Sequence, residues 1–401
     1  MSQEVAVAPS ADPAAPLLAR AQAALEDRKL ETVKAWKAQN PGALAIGHMP
    51  IYTPRPLIEA VGALPVAMFG GGDQVDIIRG DSYFQSYICH IPRSTIELAL
   101  GGDLEPLDGV IFPAICDVIR NLSGMWKLLF PNKWSAYLDV PQNFDRALGG
   151  KFYGIELARL AKELHERGAT KLTDEGLARA IADENERRQA IADLDALRRK
   201  EPWRVRASEA YLMVRAGAAV AAKEHTELLR AFLAVAGERK TRAYDNVRVV
   251  MVGSFCEQPP IDLLRALEKA GCDIVWDDAQ LGMRTIEGPI EIAPGRSPLD
   301  ALVDAYLDKG CATASRYIAN GVKGQALIDR VKATDAEGVI FSAASFCDPA
   351  LLDQPMLEAA LNEAGIPHTS FKFAENTAQF QVIREQAGAF SDSVRLFGGG
   401  A

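Results

Sequence analysis

Two series of short apolar runs, each run followed by a segment of helical spacing, constrain this chain more than any single motif does. The first series covers 43–49, 64–69, 109–112 and 135–140; the second covers 247–252, 272–276, 338–341 and a run after Gly365-Ile366-Pro367. Runs that are continuously apolar mark strands covered on both faces, and strands that alternate with helices build parallel sheets. The intervening spacing predicts helices over 17–40, 54–61, 82–100, 117–129, 260–270, 349–364 and 377–396. From about 143 to 236 the period is 3.6 almost throughout. The expected fold is α/β: two doubly wound, Rossmann-like parallel-sheet domains joined by a helical segment. The expected divisions are a disordered tail at 1–16, an N-terminal α/β domain at 17–142, helices at 143–240 and a C-terminal α/β domain at 241–401.

With 401 residues, 48% of them apolar, the chain can bury more than one core. A net charge of −9 and the lack of a long Lys/Arg block exclude the electrostatic footprint of a nucleic-acid binder or an anionic-membrane binder. No run of eighteen apolar residues occurs, and the first sixteen residues lack the basic start and apolar stretch of a secretory signal. A cytoplasmic protein is expected. Six cysteines are too few for a disulfide scaffold in a chain of this length, so they are expected to stay reduced.

In open parallel sheets the ligand site lies beyond the carboxyl ends of the strands. Cys116, Cys256 and Cys347 occupy such positions; the last follows an apolar run in Ser345-Phe346-Cys347-Asp348-Pro349. Cys89, Cys116 and Cys347 each stand where a strand or helix gives way to a turn. Thiols on separate loops that can converge at one sheet edge suit a metal or iron–sulfur site better than a core. Cys256 competes for any such site, whereas Cys272 and Cys311 are expected to pack as small hydrophobes. The spacing alone is no signature, since nothing resembles CxxC.

Other chemistries are poorly represented. The five histidines form no HExxH pair, which argues against a zinc hydrolase. His165 and His225 lie in charged helices and are expected to be solvated, as is the run Glu184-Asn185-Glu186-Arg187-Arg188. His90, beside Cys89, has two readings: a proton carrier near the thiols or an ordinary loop histidine. No GxSxG elbow is present. Gly70-Gly71-Gly72 lacks GxGxxG spacing and no GxxxxGK[ST] occurs, so nucleotide hydrolysis must fall to another chain.

Several segments together resemble the 2-hydroxyacyl-CoA dehydratase D-component family. They are Ile58-Glu59-Ala60-Val61-Gly62-Ala63-Leu64-Pro65, Asp108 to Pro113 with Cys116-Asp117, Asn121-Leu122-Ser123-Gly124-Met125-Trp126, Asp139-Val140-Pro141-Gln142-Asn143, and Glu337 to Ile340 with Phe346-Cys347-Asp348-Pro349. The Asn-Leu-Ser-Gly-Met-Trp and Pro-Gln-Asn segments look most like the smaller, C-type cluster-bearing subunits of the ATP-dependent benzoyl-CoA reductase branch. The resemblance implies that Cys89, Cys116 and Cys347 hold a four-iron, four-sulfur (4Fe-4S) cluster. It further implies a paralogous cluster-bearing subunit, ATP-hydrolysing activator subunits, ferredoxin as electron donor and benzoyl-CoA as substrate. The alternative within the family is a 2-hydroxyacyl-CoA dehydratase subunit; outside it, a non-catalytic scaffold with structural cysteines.

The family commonly starts its first helix with a Pro-x-Glu-Leu-Ile-like run. Here Pro54-Arg55-Pro56-Leu57-Ile58 sets a proline where that carboxylate would be. The expectation is therefore that this subunit relays electrons while the paralogous partner holds the reacting ring. Arg93, Arg120 and Lys127 are candidates to meet coenzyme A phosphates or the activator, against the reading of plain surface cations. Arg316, expected just before a helix, is a candidate neighbour of the thioester.

Overall fold

A computed structural model describes residues 12–256, 258–279, 285–316, 324–374 and 380–397. Four parallel strands, β1 (Ala45–His48), β2 (Leu64–Ala67), β3 (Gly109–Pro113) and β4 (Trp134–Leu138), form a sheet in the order β2-β1-β3-β4. Four more, β5 (Val247–Val252), β6 (Cys272–Asp277), β7 (Gly338–Ala344) and β8 (His368–Phe373), form a second in the order β6-β5-β7-β8. The two orders are the same. Nearly every residue of β1, β2, β3, β5 and β7 is buried, as continuous apolar runs require. The chain thus has two Rossmann-like α/β domains.

Helices cover both sheets. In the N-terminal half these are α1 (Ala15–Glu26), α2 (Glu31–Gln39), α3 (Arg55–Ala60), α4 (His90–Gly101) and α5 (Asp117–Leu129). The middle of the chain supplies α6 (Lys151–Glu166), α7 (Asp174–Lys200), α8 (Ala207–Arg215) and α9 (Ala222–Gly237). The C-terminal half carries α10 (Ile261–Lys269), α11 (Pro298–Lys309), α12 (Gln325–Ala333), α13 (Asp348–Glu363) and α14 (Phe380–Phe397).

Three local expectations need correction. The single helix over 17–40 is two, because Asp27 turns its carboxylate onto the N–H groups of Glu31 and Thr32 and so starts a second helix, with Leu30 at φ 53. The helix expected from 82 begins at His90; Gly80–Tyr83 is a short 3-10 turn, and the irregular stretch after it is exposed at Gln85, Ser86 and Tyr87 and buried at Cys89. Pro92 explains the late start, since proline fits the first helical turn but not an interior. In the tail expected over 1–16, α1 already begins at Ala15, Ala14 is buried and Asp12 pairs with Arg239 at 2.6 Å; residues 1–11 lie outside the described residues.

The charged run on α7 is mostly buried rather than solvated, with Glu186 its one exposed member. Glu184, Arg187 and Arg188 are at most 8% exposed. Arg187 donates to Glu184 at 2.8 and 2.6 Å, and Arg188 donates to the backbone carbonyls of Ile286 and Gly288 in the C-terminal half. Asn185 exchanges two hydrogen bonds with the backbone of Ile290, and Arg198 reaches Asp277 at the end of β6 with both side chains fully buried. Since α7 also packs along α3, its 27 residues, about 40 Å long, tie the two halves together. Burial raises the Glu184 carboxyl, but Arg187, Arg188 and Arg55 outweigh it and hold it below its ordinary value.

His225 is likewise buried, contrary to expectation. It packs so closely on Gly217 that a Cβ there would lie 2.1 Å from Nδ1, and its Nε2 meets the Met213 carbonyl at 2.9 Å. Burial, with Arg187 nearby, lowers its pKa to about 3. His165 is exposed, as expected.

Candidate site at the carboxyl ends of the two sheets

The three candidate thiols share one local design. Cys89 is the N-cap of α4, Cys116 of α5 and Cys347 of α13. Each has non-helical backbone angles, with ψ at 161, 173 and 85 respectively. A side chain at this position faces the unpaired N–H groups of the first turn and the positive end of the macrodipole, which favours a thiolate. Cys116 follows β3 and Cys347 follows β7, the same strand of each sheet. Cys89 and Cys347 are buried, Cys116 is partly exposed, and all six cysteines are free of disulfides.

At Cys116 the net shift is nevertheless upward: burial raises the thiol most, the carboxylates of Asp117 and Asp348 add to the rise, and the backbone N–H groups of Ile119 and Val118 offset it only in part. The influence of Asp348, the residue after Cys347, brings the two N-caps into one neighbourhood. Among the described residues, no three His, Cys, Asp or Glu side chains form a group able to hold a metal ion as they stand. The donor chemistry nevertheless fits an iron–sulfur cluster: the thiols are free of disulfides and stand at the N-cap positions of three helices, where loops meet helix starts. The three would have to turn together to hold it.

Further residues that the sequence did not single out belong to this region. Tyr52, in the loop after β1, is 4% exposed and has φ +66, a left-handed conformation that a bulky side chain adopts only when its surroundings hold it there. Its hydroxyl shares hydrogen bonds with Thr313 Oγ1 at 2.6 Å and Ser315 Oγ at 2.8 Å, joining the halves. Burial raises its pKa, and the thiol of Cys256 adds to the rise. Cys256 therefore stays in contention for the site. Phe346, just before Cys347, also has φ +66. A tyrosine on the loop after a central strand was the available signal for Tyr52.

In the second sheet Asp278 accepts hydrogen bonds from Gly253 N (2.7 Å) and Ser254 N (3.0 Å), filling the turn after β5. Gly253 adopts φ +107 there, which disfavours any side chain. Burial lifts the Asp278 carboxyl to about 7. Beside it lies a cavity of about 150 Å³, lined in part by Phe255, Trp276, Cys311 and Phe341.

The remaining candidates are placed as follows. Cys272 opens β6 at the opposite end of the sheet, fully buried, with its thiol pushed up to about 12 by burial. Cys311 is buried, as expected, but lines the small cavity. His90 is the first residue of α4 and is buried. Arg93 is ion-paired to Asp81 at 2.7 Å and reaches the Cys89 carbonyl. Arg120 lies over the Tyr137 ring, 5.5 Å from its centroid. Lys127 is in the last turn of α5, about 15 Å from the Cys116 end and so not at this edge. Arg316 donates to the carbonyls of Tyr306 and Leu307 and stacks on Phe144, capping α11; residues 317–323, where its helix was expected, lie outside the described residues. Arg55 is buried, donating to Gly217 O and Val220 O.

Paired Rossmann-like domains, each with a thiol at the helix N-cap after its third strand, define a two-domain α/β protein with a candidate site at the carboxyl ends of its sheets. The chain belongs to the 2-hydroxyglutaryl-CoA dehydratase, D-component family, which matches residues 50–394. It is 45% identical to the C-type subunit of benzoyl-CoA reductase from Thauera aromatica over 96% of this chain and 99% of that protein. It is also 28% identical to the (R)-phenyllactyl-CoA dehydratase beta subunit of Clostridium sporogenes over 88% and 92% of the respective chains, and 27% identical to the beta subunit of (R)-2-hydroxyglutaryl-CoA dehydratase from Acidaminococcus fermentans over 90% and 94%. These relatives are subunits of larger enzymes. No helix among the described residues is long and apolar enough to cross a membrane.

Proposed function

We propose that this chain is the cluster-bearing subunit of an ATP-dependent, ferredoxin-driven benzoyl-CoA reductase in the cytoplasm, which reduces benzoyl-CoA to a cyclohexadiene-carbonyl-CoA. The observation that carries this reading is the 45% identity to the C-type benzoyl-CoA reductase subunit along nearly the whole of both chains, against 28% or less for the dehydratase subunits. Cys89, Cys116 and Cys347 are the proposed ligands of a 4Fe-4S cluster, which when bound supplies low-potential electrons. The chain's own residues contribute three helix N-termini that favour thiolates and two loops held rigid by Tyr52 and Asp278. The run Pro54-Arg55-Pro56 brings no carboxylate, which supports a relay role here and ring binding on the paralogous subunit. The loop leading to Cys89 leaves Tyr83 and Tyr87 42% and 60% exposed, aromatic area suited to such a partner.

The test is iron, acid-labile sulfide and low-temperature EPR on the chain co-expressed anaerobically with its paralogue, wild type against Cys347→Ser. About four irons per chain, with a signal lost or altered in the variant, supports the assignment; an iron-free wild type, even after reconstitution, overturns it. A substrate trial separates the chemistries: benzoyl-CoA reduction consumes ATP with every turnover, whereas dehydration needs it only to start.

A further inference from the structure

A cavity of about 440 Å³, within the usual range for small-molecule sites, lies between α1, the loop after β2, the end of α8 and the start of α10. Buried polar atoms normally find partners. Three that do not, among the described residues, line this one space: Gln22 Oε1, Arg215 Nε and Gln258 Oε1. Gln258 is only 3% exposed, and its Nε2 already donates to Ser254 O and Cys256 O, so the orphaned atom is an acceptor. Gln22 is in the same state: its Nε2 donates to Glu26 and its oxygen waits for a donor.

Arg215 adds a charge without a counter-ion. Its Cζ sits over Phe69, 3.7 Å from the ring centroid, and the guanidinium donates to Tyr211 Oη at 3.0 Å, yet no carboxylate pairs with it among the described residues. The acids on the cavity wall are engaged elsewhere: Asp27 with the N–H groups of Glu31 and Thr32, Asp262 with Arg265, and Glu26 with Gln22. A half-buried cation with no anion costs stability unless a ligand supplies one. Gly70, Gly71 and Gly72 form part of the wall. At Gly70 a Cβ would come within 2.4 Å of Ser94 Oγ, so the triplet lets the loop lie close against α4.

The unmet groups define the missing ligand: an anion for Arg215, N–H donors for two amide oxygens, and apolar contact for the side chains between them. We propose that this cavity binds a nucleotide-like group, a phosphate joined to an amino-bearing planar base, without hydrolysing it. Two sources share that chemistry, a free adenine nucleotide and the nucleotide end of a coenzyme A thioester. The inference goes beyond the cluster assignment and does not depend on it, because none of the three atoms belongs to a proposed iron ligand.

The test is isothermal titration of the full chain with ADP, coenzyme A and pantetheine, repeated on Arg215→Gln and Gln258→Leu, with circular dichroism melts to confirm folding. ADP and coenzyme A should bind and pantetheine should not. Loss of the charged contact in Arg215→Gln should weaken binding about tenfold, and Gln258→Leu about threefold. Coenzyme A binding much more tightly than ADP assigns the site to the thioester, and equal binding assigns it to free nucleotide. Absence of binding by both, pantetheine binding as well as coenzyme A, or folded variants that bind like wild type overturns the proposal. If Arg215→Gln does not fold, Gln258→Leu decides. Iron content leaves this readout untouched, so failure of the cluster assignment and failure of this one are separable.

Discussion

The two halves share a strand order and diverge in how each secures its site loops. In the N-terminal half the loop after the first strand is held from outside, by the Tyr52 hydroxyl on Thr313 and Ser315 of the other half. In the C-terminal half the matching loop is held from within, by Asp278 on the N–H groups of Gly253 and Ser254. Three buried titratable groups contrast as well: His48 on β1 and His225 on α9 are neutral bases packed with the first half, and Asp278 is a buried acid of the second. A common topology therefore repeats the position of an N-cap thiol after the third strand, while the loop after the first strand is braced by different means in each half. The N-terminal loop depends on the other half, and the C-terminal one is held by its own sheet.

Separating the halves tests that dependence most severely. Arg198→Met leaves Asp277 charged, buried and alone, and should cost about 4 kcal/mol in urea unfolding. Arg198→Met with Asp277→Leu should recover most of the loss, and a double variant as unstable as the single one would show that the pair is not the tether.

Acid and base should weaken opposite halves. His48 and His225 have folded pKa values near 3, lowered by burial and then by nearby guanidiniums, so the unfolded chain takes up protons near pH 6.5 that the folded chain refuses. Their contribution is complete above pH 6.5 and shrinks as pH falls toward 3, by about 2 kcal/mol each at pH 5. For Asp278, raised to about 7 by burial, the sign reverses: the folded chain keeps a proton that the unfolded chain releases near 3.8, and stability falls as pH rises from there to 7. Amide exchange at pH 5 and pH 8, read by peptide, should show α9 and β1 opening more readily in acid. The Gly253 loop should open more readily at the higher pH. Uniform change across both halves would remove the distinction.

The smallest expected effect is the most local. Tyr52→Phe removes two hydroxyl contacts and should cost about 1 kcal/mol, with faster exchange in the loop after β1 and none in the Gly253 loop.

The sheets were legible because a parallel strand covered on both faces has little alternative to a continuous apolar run, as at Val247–Val252, which was located to the residue. Helix α5 was legible for a different reason: Asp117 follows an N-cap position and Lys127 stands in the last turn, charges that suit the two ends. The buried face of α7 was not legible. Glu184 and Arg187 satisfy each other at helical spacing, as exposed pairs also do, and only the tertiary fold covers them. His225 could have been read better, because Leu228, Leu229 and Phe232 follow it at helical intervals and define its face as the apolar one. Cys116 and Cys347 were placed at helix starts from the strand pattern, but the N-cap role of Cys89 depended on where α4 begins, and Pro92 carried that information.

The neighbourhood of Cys116 and Asp348 also sets an order of events during synthesis. Roughly 230 residues separate them, which at translation speeds of 5–20 residues per second is about 10 to 50 seconds. For that interval the first-made thiols exist on a nascent half-protein with no opposite wall. Whatever shelters them from oxidation until the second sheet arrives has to act on an unfinished chain.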